Sequence, residues 1–305
     1  MEELDTLRFV IGLFFLSCGS VSDLRSRRVP NIVWVLFGTF AILILEAQML
    51  LESYSPYHHL IIVPIAILYF DVFWERDSIF EETTTGLRIV VILLYLLALA
   101  IIVILTHHFF QIGGVDLTTF LQILTIPAMI TVAYAFYMLG LLRGGADAKA
   151  FMAIALLVPG YPAIFGFPLI NWSEPSGFSI VFPFALVTLL NGALLLIFAP
   201  LVFLVYNASR GNVKIPESLF GYEVDTKHLP RFVWLMQRMD EGKVVRELLP
   251  RRSRKVEEEA QKLIEAGHER VWVTPQIPFL VPLTVSFAIS FLLGNLLFGL
   301  LSLFT

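Results

Sequence analysis

Long apolar runs constrain the fold of this chain more than any other feature. A helix needs roughly 20 mainly apolar residues to cross the hydrocarbon core of a bilayer. The runs are continuously apolar and do not alternate along the chain, which argues against a transmembrane β-barrel. The sequence therefore predicts an all-α, polytopic integral membrane protein with about eight transmembrane helices. The predicted spans cover residues 7–22, 32–51, 60–73, 89–105, 120–142, 150–167, 180–206 and 277–304.

The composition excludes several other classes of protein. Hydrophobic residues make up 57% of the chain and charged residues 15%, whereas soluble domains contain about 25% charged residues. The formal net charge of −4 does not provide the basic field of a nucleic-acid-binding protein. A single cysteine, Cys18, excludes an internal disulfide and any multi-cysteine metal or redox motif. The adjacent histidine pairs have no carboxylate at a metal-ligand spacing, so we expect neither a metal nor a cofactor.

The distribution of basic residues predicts how the spans are oriented. Cytoplasmic loops of membrane proteins carry an excess of Lys and Arg. With eight spans, every Lys and Arg except Arg8 falls in a segment on the same side of the membrane. We therefore expect a multi-pass protein of the cytoplasmic membrane, with this basic side in the cytoplasm and both chain termini outside.

Most of the charged residues lie in one stretch near the C-terminus. We expect a membrane-embedded core over residues 1–206, a soluble cytoplasmic segment over 207–276 and a C-terminal transmembrane helix over 277–305. Within the soluble segment, residues 232–266 favour a small helical structure that is interrupted at Pro250. One interpretation is a solvated helical hairpin, and the other is a surface that contacts substrate or lipid headgroups.

Two aspartates, Asp23 and Asp147, lie at the expected cytoplasmic ends of predicted spans. Ionisable residues at membrane depth point to function. Two carboxylates at one depth can act as general base and general acid in peptide hydrolysis, and they titrate as a pair. Alternatively, each aspartate caps a helix or pairs with a nearby arginine. Gly144 and Gly145 favour the catalytic interpretation, because glycines break a helical run, allow unusual backbone angles and permit close approach of another chain.

The residues around both aspartates resemble those of a known family. The pattern Asp-x-Arg-x-Arg-x-Val-Pro-Asn begins at Asp23, and Gly-x-x-Asp-x-Lys begins at Gly144. Both resemble motifs of the type IV prepilin peptidases, which are membrane aspartyl proteases of the GxGD class. Residues 271–279, Val-Trp-Val-Thr-Pro-Gln-Ile-Pro-Phe, resemble the carboxy-terminal region of the archaeal members, which include the preflagellin (prearchaellin) peptidases. The resemblance covers the N-terminal half and the C-terminal end of the chain.

This resemblance implies an activity and a set of site residues. It implies that Asp23 and Asp147 are the catalytic pair, and that Ala146 stands where the second glycine of the GxGD motif is expected. The implied reaction is endopeptidic removal of the short, basic, class III-type leader of prepilin- or archaellin-like precursors at the cytoplasmic membrane face, in contact with lipid. Without paired cysteines, it implies a peptidase that lacks the methyltransferase activity of many bacterial relatives. The residues expected to support the motif are Gly144, Gly145, Ala146 and Lys149.

Several alternatives remain open from the sequence. The acidic residues Asp77, Glu81 and Glu82 form either a solvated loop or a rim that attracts the basic flank of the leader. Lys149 either tunes Asp147 or anchors a span. The rival function is a proton- or cation-coupled transporter in which Asp23 and Asp147 bind ions, and a third interpretation is a structural membrane scaffold. A transporter favours ionisable groups near the membrane midplane, where the predicted spans carry no charge apart from Glu46 near one end.

Overall fold

The computed structural model describes residues 2–73, 85–142, 144–170, 177–240, 243–248 and 255–301, with the backbone alone over 85–88. Helices account for most of this part of the chain, and five short strands lie between residues 222 and 275. The helices are α1 (Glu2–Ser26), α2 (Asn31–Leu51), α3 (Pro56–His59), α4 (Ile62–Asp71), α5 (Thr85–Ile112), α6 (Gly114–Met138), α7 (Gly145–Leu157), α8 (Phe178–Val181), α9 (Phe184–Ile197), α10 (Ala199–Ser209), α11 (Val256–Glu265), α12 (Leu280–Leu292) and α13 (Leu296–Leu301). The strands are β1 (Tyr222–Asp225), β2 (Val233–Leu235), β3 (Gln237–Asp240), β4 (Lys243–Arg246) and β5 (Arg270–Pro275).

Five described helical stretches are long and apolar enough to cross a membrane, so the count of about eight spans is not confirmed. The predicted span 60–73 contains the 10-residue α4, and the predicted span 150–167 overlaps only the C-terminal part of the 13-residue α7. Helix α7 stops early because Pro159 and Pro162 follow it, and proline lacks the N–H that a continuing helix needs. The five stretches are Glu2–Ser26, Asn31–Leu51, Ile89–Ile112, Gly114–Met138 and Phe184–Ser209.

The chain divides into two compact units, of which the first comprises Met1–Gly192 and Pro278–Thr305. Helix α7 lies at the centre of this unit, where it packs against α1, α2, α6 and α12. All of its side chains from Ala150 to Leu157 are buried. A helix that is apolar all round belongs in such an interior position. Gly12 of α1 allows close packing here, because a Cβ there would clash with the Phe287 ring of α12 and would lie 2.9 Å from Leu157 Cδ2.

The second unit, Ala193–Ile277, contains all five strands. β5 is the central strand of an antiparallel three-stranded sheet with the order β1-β5-β2, and β3 pairs with β4 in a hairpin. Helix α11 packs against β2 and β3. Its Ala260 and Leu263 join Val233, Val271 and Val273 in a small buried core.

The expected helical structure of residues 232–266 is therefore wrong for most of that range. Among the described residues of that range, α11 alone is helical, whereas β2, β3 and β4 are strands. β-Branched residues such as Val233, Val244 and Val245 fit a pleated, half-buried surface. The pairing partners of β2 lie far away in sequence, with Val233 opposite Pro275. The local hydrophobic periodicity of the sequence could therefore not predict this pairing.

Candidate active site

Asp147 lies in the first turn of α7, directly after the break that separates this helix from α6. Gly144 is the residue before the helix, and its carbonyl accepts a 3.1 Å hydrogen bond from the Asp147 backbone N–H. A carboxylate in the first turn is favoured by the partial positive charge at the helix N-terminus. The helical run is interrupted between Met138 and Gly145, so the predicted break includes Gly144 and not Gly145, which already belongs to α7. The break brings Asp147 to the start of the central helix.

The Asp147 carboxylate folds back over Gly144. A Cβ built at residue 144 would lie 2.5 Å from Asp147 Oδ2, closer than real Cβ atoms approach their neighbours, and 3.1 Å from Cγ. At Gly145, the nearest atom to a built Cβ is a ring carbon of Tyr137 at 3.9 Å, an ordinary contact. Only Gly144 is therefore required by the position of the carboxylate.

Neither glycine uses the unusual backbone angles that glycine allows. Gly144 has φ −105° and ψ 127°, which any residue can adopt. Gly145 lies within a regular helix and is not among the residues with positive φ. Glycine is needed at residue 144 for space beside the carboxylate, and not for backbone freedom.

Asp23 lies near the C-terminal end of α1, where its backbone carbonyl accepts a 2.9 Å hydrogen bond from the Arg27 N–H. Arg27 also interacts electrostatically with the Asp23 carboxylate, so the expected pairing with a nearby arginine has support. Arg27 itself has a positive φ of 56°, at the turn between α1 and α2. Asp23 is thus part of a helix end, as the simpler interpretation expected, and is also close to a second carboxylate.

That second carboxylate is Asp147. Burial raises the pKa of the Asp147 carboxyl to about 7, the negative charge of Asp23 acts in the same direction, and a backbone hydrogen bond at Gly144 opposes them. Asp147 lies outside the five candidate spans. A carboxyl with a pKa near neutrality is poised to accept or donate a proton. Two acidic groups that are far apart in sequence therefore interact electrostatically in this fold.

Lys149 contacts neighbouring helices through its side chain. Its Nζ donates a 2.7 Å hydrogen bond to Asn31 Oδ1 and lies 5.3 Å from the centre of the Phe73 ring. Asn31 is the first residue of α2 and follows Pro30. Its contact with Lys149 was missed, although Asn31 closes the motif that begins at Asp23. Ala146 is half-buried and packs against the large core.

Other residues singled out in the sequence lie outside the described part of the chain. This applies to Asp77, Glu81 and Glu82, which belong to residues 74–84. Over the ranges that the structure does describe, no three His, Cys, Asp or Glu side chains are grouped as metal ligands would be.

Comparison with known proteins places this site in context. Residues 213–296 match the family described as Archaeal Peptidase A24 C-terminus Type II. A curated preflagellin peptidase from Methanococcus voltae is 29% identical over 171 residues, which is 54% of this chain and 68% of that protein. The matches support a peptidase, and neither favours a transporter. They support its membership of the archaeal preflagellin peptidase family, as the sequence motifs indicated.

Proposed function

We propose that this chain is a membrane aspartyl endopeptidase whose catalytic pair is Asp23 and Asp147. Its substrates are preflagellin- or prepilin-like precursors, from which it removes the short, basic, class III-type leader. The observation that carries this proposal is the electrostatic interaction between Asp147 and Asp23. It supports a shared site because the two residues come from different helices, α1 and α7, which pack against each other.

The two carboxyl groups have complementary roles in the proposed reaction. One carboxylate takes a proton from water as the oxygen of that water attacks the scissile carbonyl carbon. The other, protonated, carboxyl donates its proton to the carbonyl oxygen. In the collapse of the tetrahedral intermediate, the carboxyl that took the proton from water donates it to the leaving amine, and the C–N bond breaks. The other carboxylate takes a proton back from a hydroxyl of the intermediate as the C=O bond re-forms, which restores a pair with one proton. A pair with one proton suits this cycle, because like charges in close proximity resist double ionisation.

The surrounding residues have supporting roles in this proposal. Gly144 leaves space for the Asp147 carboxylate, and the hydrogen bond from Lys149 to Asn31 holds the first turn of α7 against the start of α2. We assign the catalytic end of the helices to the cytoplasmic face, because the basic segments beside Asp23 and Asp147 follow the positive-inside rule. The cationic start of a leader stays on that face by the same rule.

Asp77, Glu81 and Glu82 form an acidic rim in this proposal. The rim attracts the basic residues that precede the cleavage junction. Each exposed charge pair contributes about 0.2–1 kcal/mol, and salt screens such pairs. Reversal of the basic leader residues to glutamate is therefore expected to slow cleavage at low salt and to have less effect at high salt.

The experiment for this function uses the full chain in lipid vesicles with a panel of precursors that carry basic leaders. Mass spectrometry of the products maps each cleaved bond. We expect one cut at the junction between the leader and the apolar helix of the precursor, in the presence of chelators and thiol reagents alike. Cleavage at scattered bonds, or dependence of the cut on added zinc, would contradict the proposal.

A further inference from the structure

The second unit carries an exposed apolar surface next to the end of a candidate span. The span Phe184–Ser209 ends with α10, and residues 210–216, here called the 210–216 loop, follow it. At the end of α10, the Arg210 guanidinium lies 4.5 Å from the centre of the exposed Tyr206 ring. An aromatic residue and an arginine are typical of the boundary between membrane and water.

Hydrogen bonds hold the 210–216 loop in a defined conformation. The buried Asn207 side-chain amide donates to the carbonyl oxygens of Ser218 at 3.2 Å and Gly221 at 2.8 Å. The Asn212 backbone N–H donates to the Asn207 carbonyl at 3.0 Å. Lys214 and Ser218 are joined twice, by bonds of 2.7 Å from the Lys214 N–H to Ser218 Oγ and from the Ser218 N–H to the Lys214 carbonyl. The loop therefore presents its side chains from a fixed backbone.

The side chains that this ordered loop presents are large and apolar. Val213 is 51% exposed and Ile215 is 69% exposed, and Ile277, the last residue of the unit in sequence, is 48% exposed. Exposed aliphatic surface is unfavourable in water. Exposed apolar residues that share one surface mark a contact with another apolar phase or molecule.

The sheet shows that these residues share one end of the unit. β1 starts directly after Gly221, which lies so close to the Val273 carbonyl that a Cβ would clash with it. Tyr222 pairs with Val273 at this end, and Asp225 pairs with Arg270 at the other. β5 then continues from the first end towards Ile277. The opposite end presents exposed charged or polar residues: Asp225, Lys227, His228, Glu269 and Arg270.

We propose that the 210–216 loop and Ile277 rest on the membrane surface, with Val213 and Ile215 inserted among the lipid headgroups. We expect lipid rather than a protein partner at this surface, because the loop follows directly after the end of a candidate span. Arg210 and Lys214 flank the inserted residues and bind anionic headgroups, as basic residues beside a membrane do. Apolar residues beside basic ones are characteristic of segments that lie in the interface. This contact does not depend on the proposed peptidase activity.

The test places an environment-sensitive fluorophore on the full chain in vesicles that contain anionic lipid. Cys18 is exposed, so Cys18→Ser supplies the background, and Ile215→Cys carries the label. Glu269→Cys, at the opposite charged end of the unit, is the matched control. We expect a blue-shifted emission at residue 215 and strong quenching by lipids that carry a nitroxide near the headgroup, with neither effect at residue 269.

A second pair of vesicle preparations examines the charge of the headgroup. Zwitterionic lipid, or the double change Arg210→Gln and Lys214→Gln, is expected to reduce the quenching at residue 215. Equal, water-like emission from both labels in anionic vesicles would overturn the proposal. Shielding at residue 215 that develops only on addition of a leader-bearing precursor, or only at high protein density, would also overturn it, in favour of a protein partner.

Discussion

The Asp147 carboxylate occupies the space that a side chain at Gly144 would need, because a methyl group there would lie 2.5 Å from Oδ2. This relationship explains the glycine three residues before the aspartate by steric contact alone, since the Gly144 backbone angles suit any residue. The carboxylate position and the glycine are therefore linked, and the link can be tested by substitution.

Gly144→Ala is expected to impair cleavage far more than Gly145→Ala. The new methyl group displaces the Asp147 carboxylate, and a displacement of about 1 Å at a reacting group can reduce the rate roughly 100-fold. At Gly145 the nearest atom is 3.9 Å away, and alanine favours a helix by about 1 kcal/mol over glycine. The measurement is kcat/KM for both variants at matched expression. Equal activities would contradict the steric explanation.

Asp147→Asn is expected to stabilise the protein in a pH-dependent manner. Burial, followed by the charge of Asp23, raises the pKa of Asp147 to about 7, so the folded protein holds this proton more tightly than the unfolded chain. The stability of the parent therefore falls as the pH rises from about 4 to about 7. The Asp147→Asn variant carries a neutral amide and does not lose this stability. The gain stays within a few kcal/mol because the side chain is only partly buried.

The check is the melting temperature in detergent across this pH range. The difference between Asp147→Asn and the parent should be small near pH 4 and largest above pH 7. Glu257→Gln, an exposed acid-to-amide change on α11, is the control. A difference that does not vary with pH would show that the Asp147 charge is not the cause.

The bond between Lys149 and Asn31 is expected to contribute measurably to stability. It is a 2.7 Å, half-buried hydrogen bond from a charged donor, a class worth about 1.5–3 kcal/mol. A double-mutant cycle with Lys149→Met and Asn31→Ala measures the coupling. The exposed pair Lys255 and Glu258, 2.6 Å apart, is the comparison, with an expected coupling of about 0.2–1 kcal/mol. Similar couplings in both cycles would refute the proposed anchoring of α7.

Arg8→Met is expected to destabilise the protein strongly. Arg8 and Asp5 are both buried and lie 2.8 Å apart, and Asp5 Oδ2 also accepts the Ala163 backbone N–H at 3.1 Å. Removal of one partner from a buried ion pair costs about 3–5 kcal/mol, because the other charge stays behind. Adding Asp5→Asn should recover part of this loss, since the amide oxygen still accepts the Ala163 bond. No recovery in the double variant would contradict this explanation.

Part of the fold follows directly from local sequence. The start of α2 at Asn31 was predictable because proline disfavours helix in the residue before it, and the long apolar helices follow from runs of sufficient length. The strands were not predictable from their own residues, because β1 and β2 form only when both pair with β5. The helix-favouring residues of α11 led to a helical prediction for the neighbouring strands as well.

The candidate site was predictable in its residue types and not in its contacts. Motif and topology selected Asp23 and Asp147, and the interaction between them is a property of the packed helices. The partner of Lys149 could not be chosen from the sequence, since Asn31 lies on another helix. Arg8 was the one basic residue outside the predicted cytoplasmic segments. Its buried hydrogen bond to Asp5 is a result of packing.

The most direct test of the catalytic pair compares Asp23→Asn and Asp147→Asn with the parent chain. Each variant is reconstituted in vesicles and incubated with a preflagellin-type precursor, and the released leader is quantified by mass spectrometry. The proposal predicts that each substitution abolishes cleavage, while both variants insert into the membrane and melt as folded proteins. Near-parental cleavage by either folded variant would contradict the assignment of Asp23 and Asp147 as the catalytic pair.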